Sequence, residues 1–277
     1  MMAVSIGAQQ AAVSEVDLVR WIGNTAREQA DLVAVEEPLE IRLAGCSVAV
    51  TMRTPGHDFD LAAGFLFTEG IIHGLTDIFT IIRCPSDDPE SPANIVNVNP
   101  RDHALVDPDR WNRNFFATSS CGICGKASID AIRQDARPIE SRSHLGHHTL
   151  YRLHETMRRF QTTFDRTGGL HAAALFDLEG WMVVLREDVG RHNAVDKVVG
   201  YAVRGDHLPL RDRVLLVSGR TSFEIVQKAL MAGIPIVLGV SAPSSLAIEL
   251  ARSSGMTLVG FLREGKCNVY AGAERIV

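Results

Sequence analysis

The sequence has little of what marks secreted, membrane-spanning or nucleic-acid-binding chains. No apolar run approaches the roughly 18 residues needed to cross a bilayer, which excludes a transmembrane helix. The first residues, MMAVSIGAQQAAVSEVD, lack the basic start and apolar core of a signal peptide. Cysteine is scarce: Cys46, Cys84, Cys121, Cys124 and Cys267 form an odd, scattered set that is no disulfide framework. Together these absences predict a cytoplasmic, reducing home, where a close cysteine pair tends to be catalytic or metal-bound. Positive charge is also in deficit. A net charge of −5 argues against bulk, sequence-blind nucleic-acid binding but permits a local basic pocket. Neither GxGxxG nor GxxxxGK[ST] occurs, so the common dinucleotide and nucleoside-triphosphate loops are missing.

What is present can build a full core. Hydrophobic residues make up 46% and charged residues 22% of 277, enough for one large or two ordinary domains. Residues 1–20 are small and polar and read as loose. Residues 39–43 and 48–52 flank Ala44-Gly45-Cys46 and read as a β-hairpin. The stretch TPGHDFDLAAGFLFTEGII reads as a helix capped by Asp58, with His57 just ahead of it as a structural or solvated histidine. Two more strands are expected over 77–84 and 94–98, split by a polar turn. Residues 21–132 thus form a small mixed α/β unit. Residues 133–148 read as a linker whose His144, His147 and His148 lack the ligand spacing of a metal site. A helix is predicted over 149–165, with Leu150, Leu153, Met157, Phe160 and Phe164 as its buried stripe.

From residue 171 onward a hairpin is followed by apolar strands alternating with amphipathic helices. That pattern predicts a mainly parallel sheet covered by helices on both faces, over 149–277. In such sheets ligands bind beyond the carboxyl ends of the strands, and there the sequence collects polar residues. They are Arg191 and His192 after one strand, Ser218, Arg220, Thr221 and Ser222 after the next, and Arg263 to Lys266 after the last. Ser222 and Ser244 stand where N-caps belong. Helix N-termini and four basic residues suit a phosphorylated, nucleotide-like ligand. Taken singly, each position also reads as an ordinary turn or pair: Arg191 with Asp188, for example, or His192 as a satisfied core histidine.

The most reactive stretch is SSCGICGK. It sets Cys121 and Cys124 two residues apart, among glycines that leave a sulfur unshielded, ahead of a predicted helix and beside Lys126. An ordinary thiol, with pKa about 8.5, is mostly protonated at neutral pH; a helix N-terminus and a cation both favour the reactive thiolate. The pair suits a sulfur-handling site, half of a zinc site, a redox pair, or two spare cysteines.

The segments SSCGICGK, TGGLHAAAL, EDVGRHNAVDKVVG, SGRTSFEIVQKA, VSAPSSLAIELA and TLVGFLR, with TPGHDFDLAAGFLFTEGII upstream, resemble the FdhD/NarQ family. The resemblance implies a cytidine-deaminase-like α/β core. It also implies a sulfurtransferase that takes persulfide sulfur from a cysteine desulfurase. The sulfur goes to a molybdenum or tungsten bis(molybdopterin guanine dinucleotide), bound as a substrate, for formate dehydrogenase. Carried over by position, Cys121 is the persulfide carrier, Cys124 assists, and Phe261, Leu262, Arg263, Glu264, Gly265 and Lys266 line the cofactor site. Arg191, His192, Ser218, Arg220, Thr221 and Ser222 are added from strand-end geometry. A homodimer is implied, and no resident metal, nucleic acid or membrane is expected. Three rivals stand beside this reading. A zinc deaminase needs a Glu two residues after its ligand and a proline before its CxxC, whereas Ala173 follows His171 and Ser120 precedes Cys121. A thioredoxin-like exchanger wants a bulky residue and usually a proline around its cysteines. A non-catalytic chaperone with structural zinc needs two further ligands, which Cys46, Cys84 and Cys267 could supply only if folding gathers them.

Overall fold

The structure, a computed structural model, describes residues 12–85, 94–105 and 138–277. Three sheets run through them. The first is a ribbon of β1 (Val13–Ile22) and β2 (Thr25–Ala34), paired antiparallel from Val13 opposite Ala34 to Ile22 opposite Thr25. Residues 13–20, expected to be loose, are therefore strand. The segment SEVDLVRW mixes charge into both faces, so strand alternation is hard to see, and Trp21 remains 68% exposed.

The second sheet holds β3 (Glu37–Leu43), β4 (Cys46–Arg53), β5 (Ile78–Cys84) and β6 (Ile95–Pro100) in the order β4-β3-β6-β5. The expected hairpin forms here. Ala44 and Gly45, at φ 49 and 85, make the two-residue turn whose twist matches its strands. Leu39, Ile41, Leu43, Val96 and Val98 point to one side, against α1 (Asp58–Thr68). Asp58 is not the cap of that helix. His57 holds the cap position at φ 57 without a side-chain bond. Asp58 is buried instead, 3.0 Å from Arg53 Nε and 2.6 Å from Arg83. Burial favours its neutral form, but the two guanidiniums outweigh that and hold its carboxyl below the usual range.

The stretch from 138 to 146 ties down on the main body, with Leu145 fully buried and Ser143 Oγ 2.7 Å from Asp212. Then come α2 (His147–Arg159) and α3 (Thr162–Thr167). The single helix expected over 149–165 breaks at Phe160 and Gln161. The Glu187 carboxylate accepts from the Thr163 and Phe164 amides, capping a new helix start, and Phe160 turns outward, 54% exposed. Leu150, Leu153 and Met157 keep the buried stripe.

The third sheet carries β7 (His171–Phe176), β8 (Met182–Asp188), β9 (Val214–Val217), β10 (Ile236–Gly239), β11 (Thr257–Arg263) and β12 (Lys266–Ala271), ordered β12-β11-β10-β9-β7-β8. It corrects the expectation of a mainly parallel sheet. Only β9-β10-β11 pair in parallel; β7 runs antiparallel to both β8 and β9, and β11 to β12. The sheet is mixed because hairpins close its two ends, β7–β8 and β11–β12, and β7 lies antiparallel between β8 and β9, whose helical connection makes them run the same way. The intervening helices are α4 (Arg191–Arg204), α5 (Phe223–Met231) and α6 (Ser245–Ser253). Both faces are covered, as expected. Ala173, Leu175, Leu215 and Val217 pack with α1, α4 and α5, while Ala172, Ala174, Phe176 and Leu216 pack with Leu150, Leu153 and Met157 of α2.

A close helix crossing joins the second and third sheets. Helices α1 and α4 cross at Gly64 and Gly200, where an added Cβ would lie 1.8 Å from the Asp196 carbonyl oxygen and 1.7 Å from that of Asp60. The backbones touch, and a single core runs from β3 through the crossing to β9. No helix among the described residues is long and apolar enough to cross a membrane.

Candidate functional site

Because β7 is antiparallel to β8 and β9, the carboxyl ends of β8, β9, β10 and β11 share one edge with the start of β7. Helices α4, α5 and α6 begin there too. The polar segments picked from sequence are thus brought together along one rim.

His171 opens β7 opposite Asp188. Next to it, Ser218 donates its amide to the Ala172 carbonyl at 2.9 Å and accepts from the Ala172 amide at Oγ, at 2.8 Å. That clamp carries the pairing past the end of β9 and sets Gly219 beside the His171 ring. A Cβ on Gly219 would lie 3.2 Å from His171 Nδ1 and 4.0 Å from Arg191 Cδ, so ring and guanidinium stem flank one bare stretch of backbone. Burial, followed by Arg191, His192 and Arg220, pushes His171 below the ordinary histidine range.

Asp188 does not pair with Arg191. It is fully buried, 2.7 Å from Lys197 Nζ, and accepts from the amides of Gly190 and Thr54. Lys197 also donates to the Thr54 carbonyl at 2.9 Å, fastening the loop before α1 to the start of α4. Arg191 is left without a carboxylate partner among the described residues, and its Nε is buried with no acceptor. Arg220 is exposed and equally unpaired there. His192 is buried, with Nε2 2.9 Å from Glu224 and 3.1 Å from Ser222 Oγ. Ser222 holds the N-cap position of α5 but makes no capping bond, whereas Ser244 does cap α6 by accepting from the Ala247 amide. Thr221 is fully buried, bridging to Pro243, and its Oγ1 has no partner.

Farther along the rim, Phe261 donates its amide to the Ser241 carbonyl. It sits at φ 53 and is 44% exposed, an unusual backbone for an aromatic residue. Leu262 turns into the core. Arg263 donates to the carbonyls of Val240 and Leu262 and stands opposite Lys266, with Glu264 and Gly265 as the turn between β11 and β12. The run GFLREGKC is therefore a tight antiparallel hairpin, not the strand-loop-helix of a triphosphate loop. Arg263, Glu264 and Lys266 form one wall of a groove of about 810 Å³; Tyr151, His154 and Arg158 of α2 form another. Burial, with Arg263 and Arg158 nearby, lowers His154. The sequence reading missed this α2 wall. Its signal was the 151, 154, 158 spacing, one step round from the buried stripe of Leu150, Leu153 and Met157.

Cys121 and Cys124 lie outside the described residues. Cys46 and Cys84 occupy opposite edge strands of the four-stranded sheet, three strand spacings or roughly 14 Å apart across it and further still along it, since Cys84 lies across from Val50, and Cys267 belongs to another sheet. Folding does not gather these three. No group of three or more His, Cys, Asp or Glu side chains among the described residues is arranged to hold a metal.

A family model described as FdhD/NarQ matches residues 34–277. A sulfur carrier protein FdhD of Mycolicibacterium paratuberculosis is 53% identical over 251 residues, covering 89% of this chain and 92% of its own length. Its counterpart in Streptomyces coelicolor is 53% identical over 255 residues, covering 89% of each chain. Among solved structures, a candidate formate dehydrogenase accessory protein from Desulfotalea psychrophila superposes with a TM-score of 0.77 at 26% identity, covering 96% of this chain and all of its own. Family model and relatives agree across nearly the whole length, and on that ground the chain belongs to the FdhD/NarQ family.

Proposed function

We propose that this protein is a sulfur carrier that sulfurates a molybdenum or tungsten bis(molybdopterin guanine dinucleotide), its substrate, on behalf of formate dehydrogenase in the reducing cytoplasm. The observation that supports it most is the rim itself: Arg191, Arg220 and His171 lie around the Gly219 backbone, and the anion beside them, Asp188, is already engaged by Lys197. A two-nucleotide cofactor brings several phosphates, and cations beside the starts of α4 and α5 suit them. The names of the relatives supply the sulfur chemistry, and SSCGICGK supplies thiols for it.

In this reading the Cys121 thiolate attacks the outer sulfur of the desulfurase persulfide. One S–S bond forms as another breaks, and the donor leaves as thiolate. Release onto the metal as sulfide needs two electrons. Cys124 supplies them by closing a disulfide on Cys121, which a cellular dithiol then reopens. Arg263, Lys266 and Phe261 line the far part of the cofactor site, and the protein works as a homodimer.

The test is mass spectrometry of the protein after incubation with a cysteine desulfurase and cysteine. The proposal expects one added sulfur atom on the peptide carrying Cys121 and none in Cys121→Ala. An unchanged mass, or sulfur mapped to Cys46, Cys84 or Cys267, contradicts it.

A further inference from the structure

We propose that His171 is a ligand-binding residue of this rim, taking a proton from solvent when a phosphate group settles between Arg191 and Arg220. The inference rests on the reading of the rim as an anion site and adds one residue and one proton to it.

Placement comes first. The clamp between Ala172 and Ser218 fixes the residue just ahead of it, so the His171 ring cannot swing away with a loose terminus. The ring presses on Gly219, where any side chain would crowd it. It is half-buried, and neither ring nitrogen makes a hydrogen bond among the described residues. The neighbouring His192 shows the contrast, since Glu224 and Ser222 satisfy it within the fold. A half-buried imidazole left without partners, between two unpaired guanidiniums, is set toward a ligand rather than toward the core.

The charges around it decide its state. From α4 come Arg191 and His192, from the turn before α5 comes Arg220, and from β8 comes Asp188. Asp188 is the only anion of the four and is engaged by Lys197. Burial and the cations together keep the free ring neutral. A bound phosphate, with up to two negative charges, reverses the local field. The ring then protonates and donates from both nitrogens.

The probe is GDP, titrated calorimetrically near neutral pH in two buffers of different ionisation enthalpy, with wild type and His171→Gln. Glutamine keeps a hydrogen-bonding side chain but cannot take up a proton. Wild type should take up roughly half a proton more per GDP than the variant, and its affinity should rise as the pH falls from about 7.5 to 6 while the variant's stays flatter. Taking the difference cancels exchange by the phosphate of GDP itself. Equal uptake by both proteins overturns the inference and leaves the rim an anion site. Absence of GDP binding to wild type overturns the rim reading, and this inference with it. If the variant does not fold, the ring nitrogen shifts of His171 in wild type decide: movement to the imidazolium position on adding GDP supports the inference, and a ring that stays neutral overturns it.

Discussion

The helical layer and the rim use charge in opposite ways. The buried carboxylates of α1 and α4 each lie against a cation: Asp58 on Arg53 and Arg83, Asp60 on Arg186 and Arg204, Asp196 on Lys228. Lys228 donates to both Asp196 oxygens at 2.9 Å and to Thr68. Burial opposes its charge, but Asp196 and Glu69 outweigh that and raise it above the ordinary lysine range. Only a few residues along the chain from that pair, Arg191 and Arg220 flank the Gly219 backbone with no carboxylate partner among the described residues. A buried charge without a partner costs several kcal/mol, so the layer has to match its own. At the rim Arg220 is exposed and carries no such cost, while the Arg191 Nε, buried without an acceptor, is left to be matched by something that arrives.

This contrast sets a descending order of effects on stability. The steepest is steric. Gly200→Ala puts a methyl group 1.7 Å from the Asp60 carbonyl oxygen, and the helices must separate to admit it. A loss of roughly 3 kcal/mol or more is expected, read as the urea midpoint, a large part of an ordinary domain's total. Next, Lys228→Met leaves Asp196 with only the Thr68 hydroxyl and should cost about 3 kcal/mol; adding Asp196→Leu should restore much of it, because removing both partners leaves no orphan charge. If the double variant is no better than the single, the pair is not what holds the layer.

Asp58 gives a smaller, pH-dependent effect. Its folded pKa lies below the unfolded value of about 3.9, so its contribution is complete above that pH and is lost as acid protonates it in the folded state. Wild type should therefore destabilise more steeply than Asp58→Asn as the pH drops below about 4. Parallel acid curves would show that the ion pair contributes nothing. Smallest of all is the rim: Arg191→Ala with Arg220→Ala should shift stability by no more than about 0.5 kcal/mol.

Much of this contrast was legible in the sequence, and the gaps have physical causes. Apolar strands alternating with helices marked the third sheet, and polar runs at strand ends marked the rim, because burial on both faces and capping leave local signatures. The β7–β8 hairpin was legible too, but strand order leaves no local signature, so nothing showed that β7 would insert antiparallel beside β9. Asp58 looked like a cap because caps are read from residue type; its burial depends on Arg53, five residues earlier, and on Arg83 of β5, which only the folded sheet brings to it. His171 was passed over for the same reason. Nothing in TGGLHAAAL says that Gly219 and Arg191 will lie beside it. The groove wall of Tyr151, His154 and Arg158 hid behind the stronger buried stripe of the same helix.

The most direct test of the account is the melting temperature of wild type and of the Arg191→Ala, Arg220→Ala double variant across a GDP titration. Any ligand that binds only the folded state must raise it. Matching melting points without GDP, followed by a rise in wild type that the double variant lacks, is the predicted result; equal rises in both, or none in wild type at saturating GDP, would contradict the claim that the unpaired cations of the rim are there for a phosphate.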